Sequence, residues 1–232
     1  MSTTAASEPL HVQPAAVRRT EPARGAAALA GVVAAAAALA TGELIAAFLS
    51  GAPSPLAAVG AAVIDFAPAG SKDVIVSLFG TNDKPALLLL ITLVVLAVGA
   101  GLGLLARRSQ PLALIGIVAL VGVGFVAMMR QPAAELAPSL MSAGIQAIVG
   151  IQALTWLLGA APRVDSTAGT AATAPANDAA RRSFLGKALG LGALAVVGGG
   201  IGRAMVEGRA TQVAQAETTI PQAVQPASAP GP

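Results

Sequence analysis

Between Lys84 and Arg107 the chain runs for 22 residues without a charged side chain, and Thr92 is its only polar residue. Coiled as a helix at 1.5 Å per residue, such a run is about 33 Å long, matching a hydrocarbon layer of about 30 Å. Inside lipid every backbone N–H and C=O must find an internal partner, so only a helix or a closed barrel can cross. A barrel strand needs only about 10 residues. The run therefore reads as a transmembrane helix over Pro85 to Ala106, opened by a proline that suits a first helical turn and closed by Arg107 and Arg108.

Four more segments repeat this pattern: Gly25 to Ser50, Gln110 to Met129, Ser139 to Ala161 and Ser183 to Val206. The composition agrees, because 55% of the 232 residues are hydrophobic and 11% are charged, against about 25% charged in a soluble domain. The expected fold class is all-α, an integral membrane bundle of about five transmembrane helices. Its spans are 25–50, 85–106, 110–129, 139–161 and 183–206, and the first four form one membrane domain over 25–161.

The segments between and beyond the spans are of a different kind. Residues 1–24 are rich in Ser, Thr, Ala and Pro and hold too little apolar surface for a core; they are expected to be a disordered arm. The linker 162–182 and the tail 207–232 are likewise expected to be flexible. Segment 51–84 is too apolar for an ordinary loop and is broken by Pro53, Pro55 and Pro68. It reads as two short interfacial helices, Pro55 to Phe66 and Ser71 to Phe79, with a re-entrant hairpin as the alternative. Ser71 would cap the second, with Asp73 favoured in its first turn.

Orientation follows from the cations. With the N-terminus inside, Arg18, Arg19, Arg24, Arg107, Arg108, Arg163, Arg181, Arg182 and Lys187 fall on the cytoplasmic side, against Lys72, Lys84, Arg130, Arg203 and Arg209 outside. Nine against five favours a cytoplasmic N-terminus and an extracytoplasmic C-terminus. The net charge of +3 is thus explained by topology, and no nucleic-acid partner is expected. Catalytic chemistry is narrowly bounded. There is no Cys, and the one His, His11, lies in the polar arm, so thiolate metal sites, iron–sulfur clusters and paired haem ligands are excluded. Neither a catalytic, a cofactor-binding nor a metal site is read from the residues.

Polar groups within the spans are the remaining candidates. Glu43 is the sharpest, because an ionisable side chain inside a span costs free energy and is a functional hypothesis by default. It sits toward the outer third of its span, where a structural polar contact is the favoured reading, and no residue within the spans reads as its partner. On that reading Glu43→Gln should be tolerated and Glu43→Leu should stabilise the helix in lipid. Gln146 and Gln152 lie six positions apart, about 240° round a helix, and so do not share a face; each reads as a separate interhelical hydrogen bond. Gly99 with Gly103, Gly186 with Gly190, and Gly198 with Gly202 have the spacing that lets helices approach closely, and a helix-mediated oligomer is one use of it. Trp156 reads as an interfacial anchor. Arg181, Arg182, Phe184 and Leu185 stand at the start of a Gly-rich, moderately apolar helix, the pattern of a twin-arginine export motif; the other reading of the pair is a positive-inside flank of an ordinary membrane helix.

Taken in order, the chain has a Gly-Glu-Leu-containing first helix and an outer segment carrying Ser54-Pro55, Ala58-Val59-Gly60, Val63-Ile64-Asp65, Lys72-Asp73, Phe79-Gly80-Thr81 and Asp83-Lys84-Pro85. Paired arginines, two more helices and a late Arg-Arg-x-Phe-Leu helix follow. Over roughly residues 25–209 this resembles the membrane-embedded N-terminal region of bacterial molybdopterin-dependent oxidoreductases of the sulfite-oxidase type. In that family an extracytoplasmic domain binds the molybdenum cofactor through a cysteine sulfur. No position in this chain matches that cofactor site, so the resemblance implies a non-catalytic anchor in a bacterial plasma membrane. A molybdopterin-binding domain or subunit would then be its partner, in addition to the lipid bilayer. The alternatives from the residues alone are a small transporter or channel subunit, with Glu43, Gln146 and Gln152 lining a polar path, and a structural scaffold for another membrane complex.

Overall fold

The computed structural model describes residues 20–66, 83–165 and 175–217. Within them the chain folds as β1 (Thr20–Pro22), α1 (Arg24–Phe48), α2 (Pro55–Phe66), α3 (Asp83–Ala106), α4 (Gln110–Met128), α5 (Leu136–Ala160), β2 (Arg163–Asp165) and α6 (Pro175–Glu217). Five of the six described helices are long and apolar enough to cross a membrane, and α2 is the short one. The protein is thus a helical, multi-pass membrane bundle. A short helix forms over Pro55 to Phe66, with the bounds expected of the first helix of the outer segment. The second, with Ser71 and Asp73, lies outside the described residues.

The bundle is organised around α1, which packs against α2, α3, α5 and α6. Its sequence explains this position. Alanine is the best helix former, and a surface built of Ala27, Ala30, Ala34, Ala35, Ala37 and Ala38, all buried, lets neighbours approach from several sides. Where no water drives helices together, close packing of small residues takes over. The closest approach is between α1 and α3. A Cβ added to Gly31 would overlap the carbonyl oxygen of Gly99 and lie 2.7 Å from the amide nitrogen of Gly103, so the two backbones touch directly. Around this contact Val33, Ile117, Leu154, Leu157 and Phe184 fill the main apolar core. The remaining large apolar side chains, such as Leu89, Ile115, Ile148 and Val196, point outward, as a lipid-facing surface requires.

Both ends of the bundle are tied. After α1 the chain turns at Gly51, whose φ of 79° is readily adopted by glycine. The Gly51 carbonyl accepts hydrogen bonds from the Glu135 amide at 2.9 Å and the Ser139 hydroxyl at 3.3 Å, which fixes this turn to the start of α5. At the opposite end β1 pairs antiparallel with β2, with Glu21 opposite Val164. Arg107 donates to the Pro22 carbonyl at 2.8 Å and to the Glu21 carboxylate at 2.9 Å.

The boundaries read from hydropathy need correction here. Thr20–Pro22 belongs to a small ladder instead of a structureless arm. Helix α6 has 43 residues, about 65 Å by its rise, and takes 175–182 from the linker and 207–217 from the tail. Hydropathy registers only the part of a helix that lies in lipid, whereas the Ala, Arg, Gln and Glu of 207–217 sustain a helix by intrinsic propensity.

Candidate functional site at the junction of α1, α2 and α6

Glu43 is 3% exposed, and its carboxylate has partners from two other elements. The Ser54 hydroxyl lies 2.7 and 2.8 Å from its two oxygens, and the Leu56 amide donates to Oε1 at 3.1 Å. Ser54 also caps α2, its Oγ accepting from the Ala57 amide at 3.1 Å. With proline at position 55 supplying no donor, the first free amides of α2 are satisfied by Ser54 and Glu43. The carboxylate therefore sits at the positive end of the α2 dipole.

The third partner comes from α6. Arg203 places Nη1 4.0 Å from Glu43 Oε2 and 3.4 Å from Ser54 Oγ, while its Nε donates to Glu207 Oε1 at 2.8 Å. The approach depends on glycine: a Cβ on Gly202 would lie 2.7 to 2.8 Å from the backbone of Glu43 and Leu44. On another side, a Cβ on Gly42 would meet the Gln146 amide at 2.6 Å and the Pro55 ring at 2.7 Å. Gly42 and Glu43 together thus let α2, α5 and α6 converge on one turn of α1.

The sequence reading of Glu43 as partnerless within the spans is corrected by this arrangement. Ser54 lies in the turn beyond α1, and Arg203 lies within the 183–206 span, near its outer end, where it counts among the outer cations. The face of α6 that packs on α1 carries the Arg203 guanidinium onto the cluster. The signal that could have found it is the Gly198, Gly199, Gly202 series, which marks the face of α6 bearing Arg203. Of the three glycine pairs, Gly99 with Gly103 packs on α1 at Gly31, and Gly198 with Gly202 packs on α1 at Leu44 and Glu43. Gly186 and Gly190 have no neighbour within 4 Å of an added Cβ.

The other polar residues are dispersed. Gln146 is buried and donates to the Ser142 hydroxyl at 3.0 Å. Gln152 is exposed on the outer face of α5. Glu43, Gln146 and Gln152 therefore do not line one path. Arg181, Arg182 and Leu185 are exposed, whereas Phe184 is buried in the main core. Trp156 is exposed, with Lys187 5.3 Å above its ring.

A small cavity of about 230 Å3 adjoins the cluster, with Glu43, Thr92 and Arg203 among apolar walls from Ala40, Leu56 and Gly199. Among the described residues no group of three or more His, Cys, Asp or Glu could hold a metal. The donor set of the cluster, carboxylates already engaged by a hydroxyl, an amide and a guanidinium, does not fit a molybdenum centre. Its chemistry is that of a lock joining three helices.

That lock sets the expected response to mutation. Glu43→Leu leaves the Ser54 hydroxyl and the Leu56 amide without their acceptor, at about 1–3 kcal/mol for each unsatisfied group. Thermal unfolding in detergent should therefore show Glu43→Leu to be less stable than wild type, the opposite of what an unpartnered acid in lipid predicts. Glu43→Gln, which retains one acceptor oxygen, should fall between them. A leucine variant as stable as wild type would refute the lock.

In comparisons with known protein families, curated proteins and solved structures, the chain finds no match.

Proposed function

We propose that this chain is a non-catalytic membrane anchor that holds an extracytoplasmic catalytic domain or partner at the bilayer. The carrying observation is the use made of its intramembrane charge: Glu43 binds α2 through Ser54 and the Leu56 amide and faces Arg203 of α6. The segment that leads to the C-terminal tail is thus clamped to the central helix instead of lining a transport route. The oxidoreductase part of the proposal rests on the resemblance carried by the outer segment and the late Arg-Arg-x-Phe-Leu helix. In that setting the molybdopterin belongs to a domain or subunit other than residues 1–232, and no chemical step is assigned to this chain.

The proposed orientation places the β1–β2 ladder, Arg107, Arg108, Arg181 and Arg182 in the cytoplasm of a bacterial cell, and the Glu43 cluster toward the outer face. Reporter fusions should be active outside after Ser50 and after Arg209, and inside after Arg108. An inside signal after Arg209 would sink the five-span orientation. The partner is tested separately, by purifying the protein from its native membranes and measuring oxidised-pterin fluorescence. Stoichiometric pterin is the expected result, and its absence would remove the oxidoreductase assignment.

A further inference from the structure

Helix α6 leans on α1 along its length and barely touches α5, which leaves the flank of α5 open. The resulting groove has a volume of about 710 Å3 and is lined by Ile148, Val149, Gln152, Ala153, Trp156 and Leu191, within the range of about 300–1,000 Å3 typical of small-molecule sites. Its walls are apolar apart from Thr155, whose hydroxyl donates to the Ile151 carbonyl at 2.9 Å, and Gln152. The Gln152 side chain is exposed and makes no hydrogen bond among the described residues. A carboxamide facing bare lipid is unfavourable, because hydrocarbon offers it neither donor nor acceptor. At the end of the groove Lys187, half-buried, lies 5.3 Å above the Trp156 ring and forms no ion pair among the described residues. The acid nearest to it along α6 is Asp178, nine positions earlier and thus about 13 Å away along the axis.

We propose that this groove binds one anionic phospholipid. The depths of its polar groups match such a molecule. Trp156 and Lys187 mark the headgroup level, where an ammonium held at an aromatic face can meet a phosphate. Gln152 lies one turn deeper, about 6 Å along α5, where a glycerophospholipid carries its ester carbonyls, and its NH2 group supplies the donor they accept. The acyl chains then follow Ile148, Val149 and Leu191. Arg181 and Arg182, exposed one to two turns beyond Lys187, add positive potential at the mouth, as in basic pockets between membrane helices that select anionic lipids. The site does not depend on the anchor function or on which face is cytoplasmic.

The test is native mass spectrometry of the full chain with phosphatidylglycerol and phosphatidylcholine of identical acyl chains. Wild type should retain one phosphatidylglycerol, with about fivefold preference over phosphatidylcholine, the size expected of one lysine near a lipid surface. Lys187→Gln should cut the preference to the remainder contributed by Arg181 and Arg182, and Lys187→Arg should keep it. Gln152→Leu should weaken retention of both lipids, and Arg130→Gln, at the other end of the bundle, should change neither. Equal retention of the two lipids by wild type, or an unchanged preference in Lys187→Gln, would overturn the proposal. So would a wild-type dimer that Gln152→Leu dissociates, which would assign the groove to a second copy of the chain.

Discussion

Gly31→Leu is expected to abolish the folded bundle, while Gly101→Leu, two positions from Gly99 on the same partner helix, should leave it intact. The difference lies in what each new side chain meets. At Gly31 even a Cβ overlaps the Gly99 carbonyl and crowds the Gly103 backbone, whereas at Gly101 it meets nothing within 4 Å. Backbone cannot move aside as the end of a flexible side chain can, so α1 and α3 must separate. Separation loosens the central helix against which α5 and α6 also pack. Overpacking in ordinary cores costs about 1–3 kcal/mol and occasionally more; a backbone-on-backbone contact belongs at or above the upper end. Protein level in membranes and thermal unfolding in detergent measure it. A Gly31→Leu protein as abundant and stable as Gly101→Leu would mean that α1 and α3 are not in this contact.

The same contact shows what the sequence could and could not reveal. Gly99 and Gly103 stand out in a Leu- and Val-rich run, so the α3 half of the interface is legible as a small-x-x-x-small pattern. Its α1 half is not, because Ala27, Gly31 and Ala35 lie in a run where nearly every residue is small and no face is distinguished. For the same reason hydropathy ranks α1 below α3 in apolar character and hides that α1 is the hub. The number and type of spans were legible because lipid leaves a chain few options. Glu43 was legible as an anomaly, since charge inside a span is rare. Its partner Arg203 was less so, because pairing between distant segments depends on which face of α6 meets α1. The β1–β2 ladder, three residues per strand, is too short to carry any periodic signal.

If α6 is handled as a twin-arginine export signal, replacing Arg181 and Arg182 together by lysine should strand a folded, cofactor-containing reporter fused after Arg209 in the cytoplasm, with α1 to α5 inserted normally. The substitution preserves charge, so the positive-inside contribution of the pair is almost unchanged. What it removes is the planar guanidinium fork, which a compact ammonium cannot reproduce for a receptor. The two arginines are exposed on α6, so their guanidinium groups are accessible, and among the described residues Arg182 reaches only the Asp178 carbonyl, at 3.4 Å. Phe184, by contrast, is 2% exposed and packed in the core. A receptor that reads the aromatic as well as the arginine pair must therefore engage the segment before α6 docks on α1. Phe184→Leu separates the two demands on that position: it retains an apolar side chain for the core, so bundle stability should change far less than export if the aromatic is read. Equal export of the reporter from the Arg-Arg and Lys-Lys forms would reduce the pair to a charged flank of an ordinary membrane helix, and α6 would then need no receptor to reach the far side.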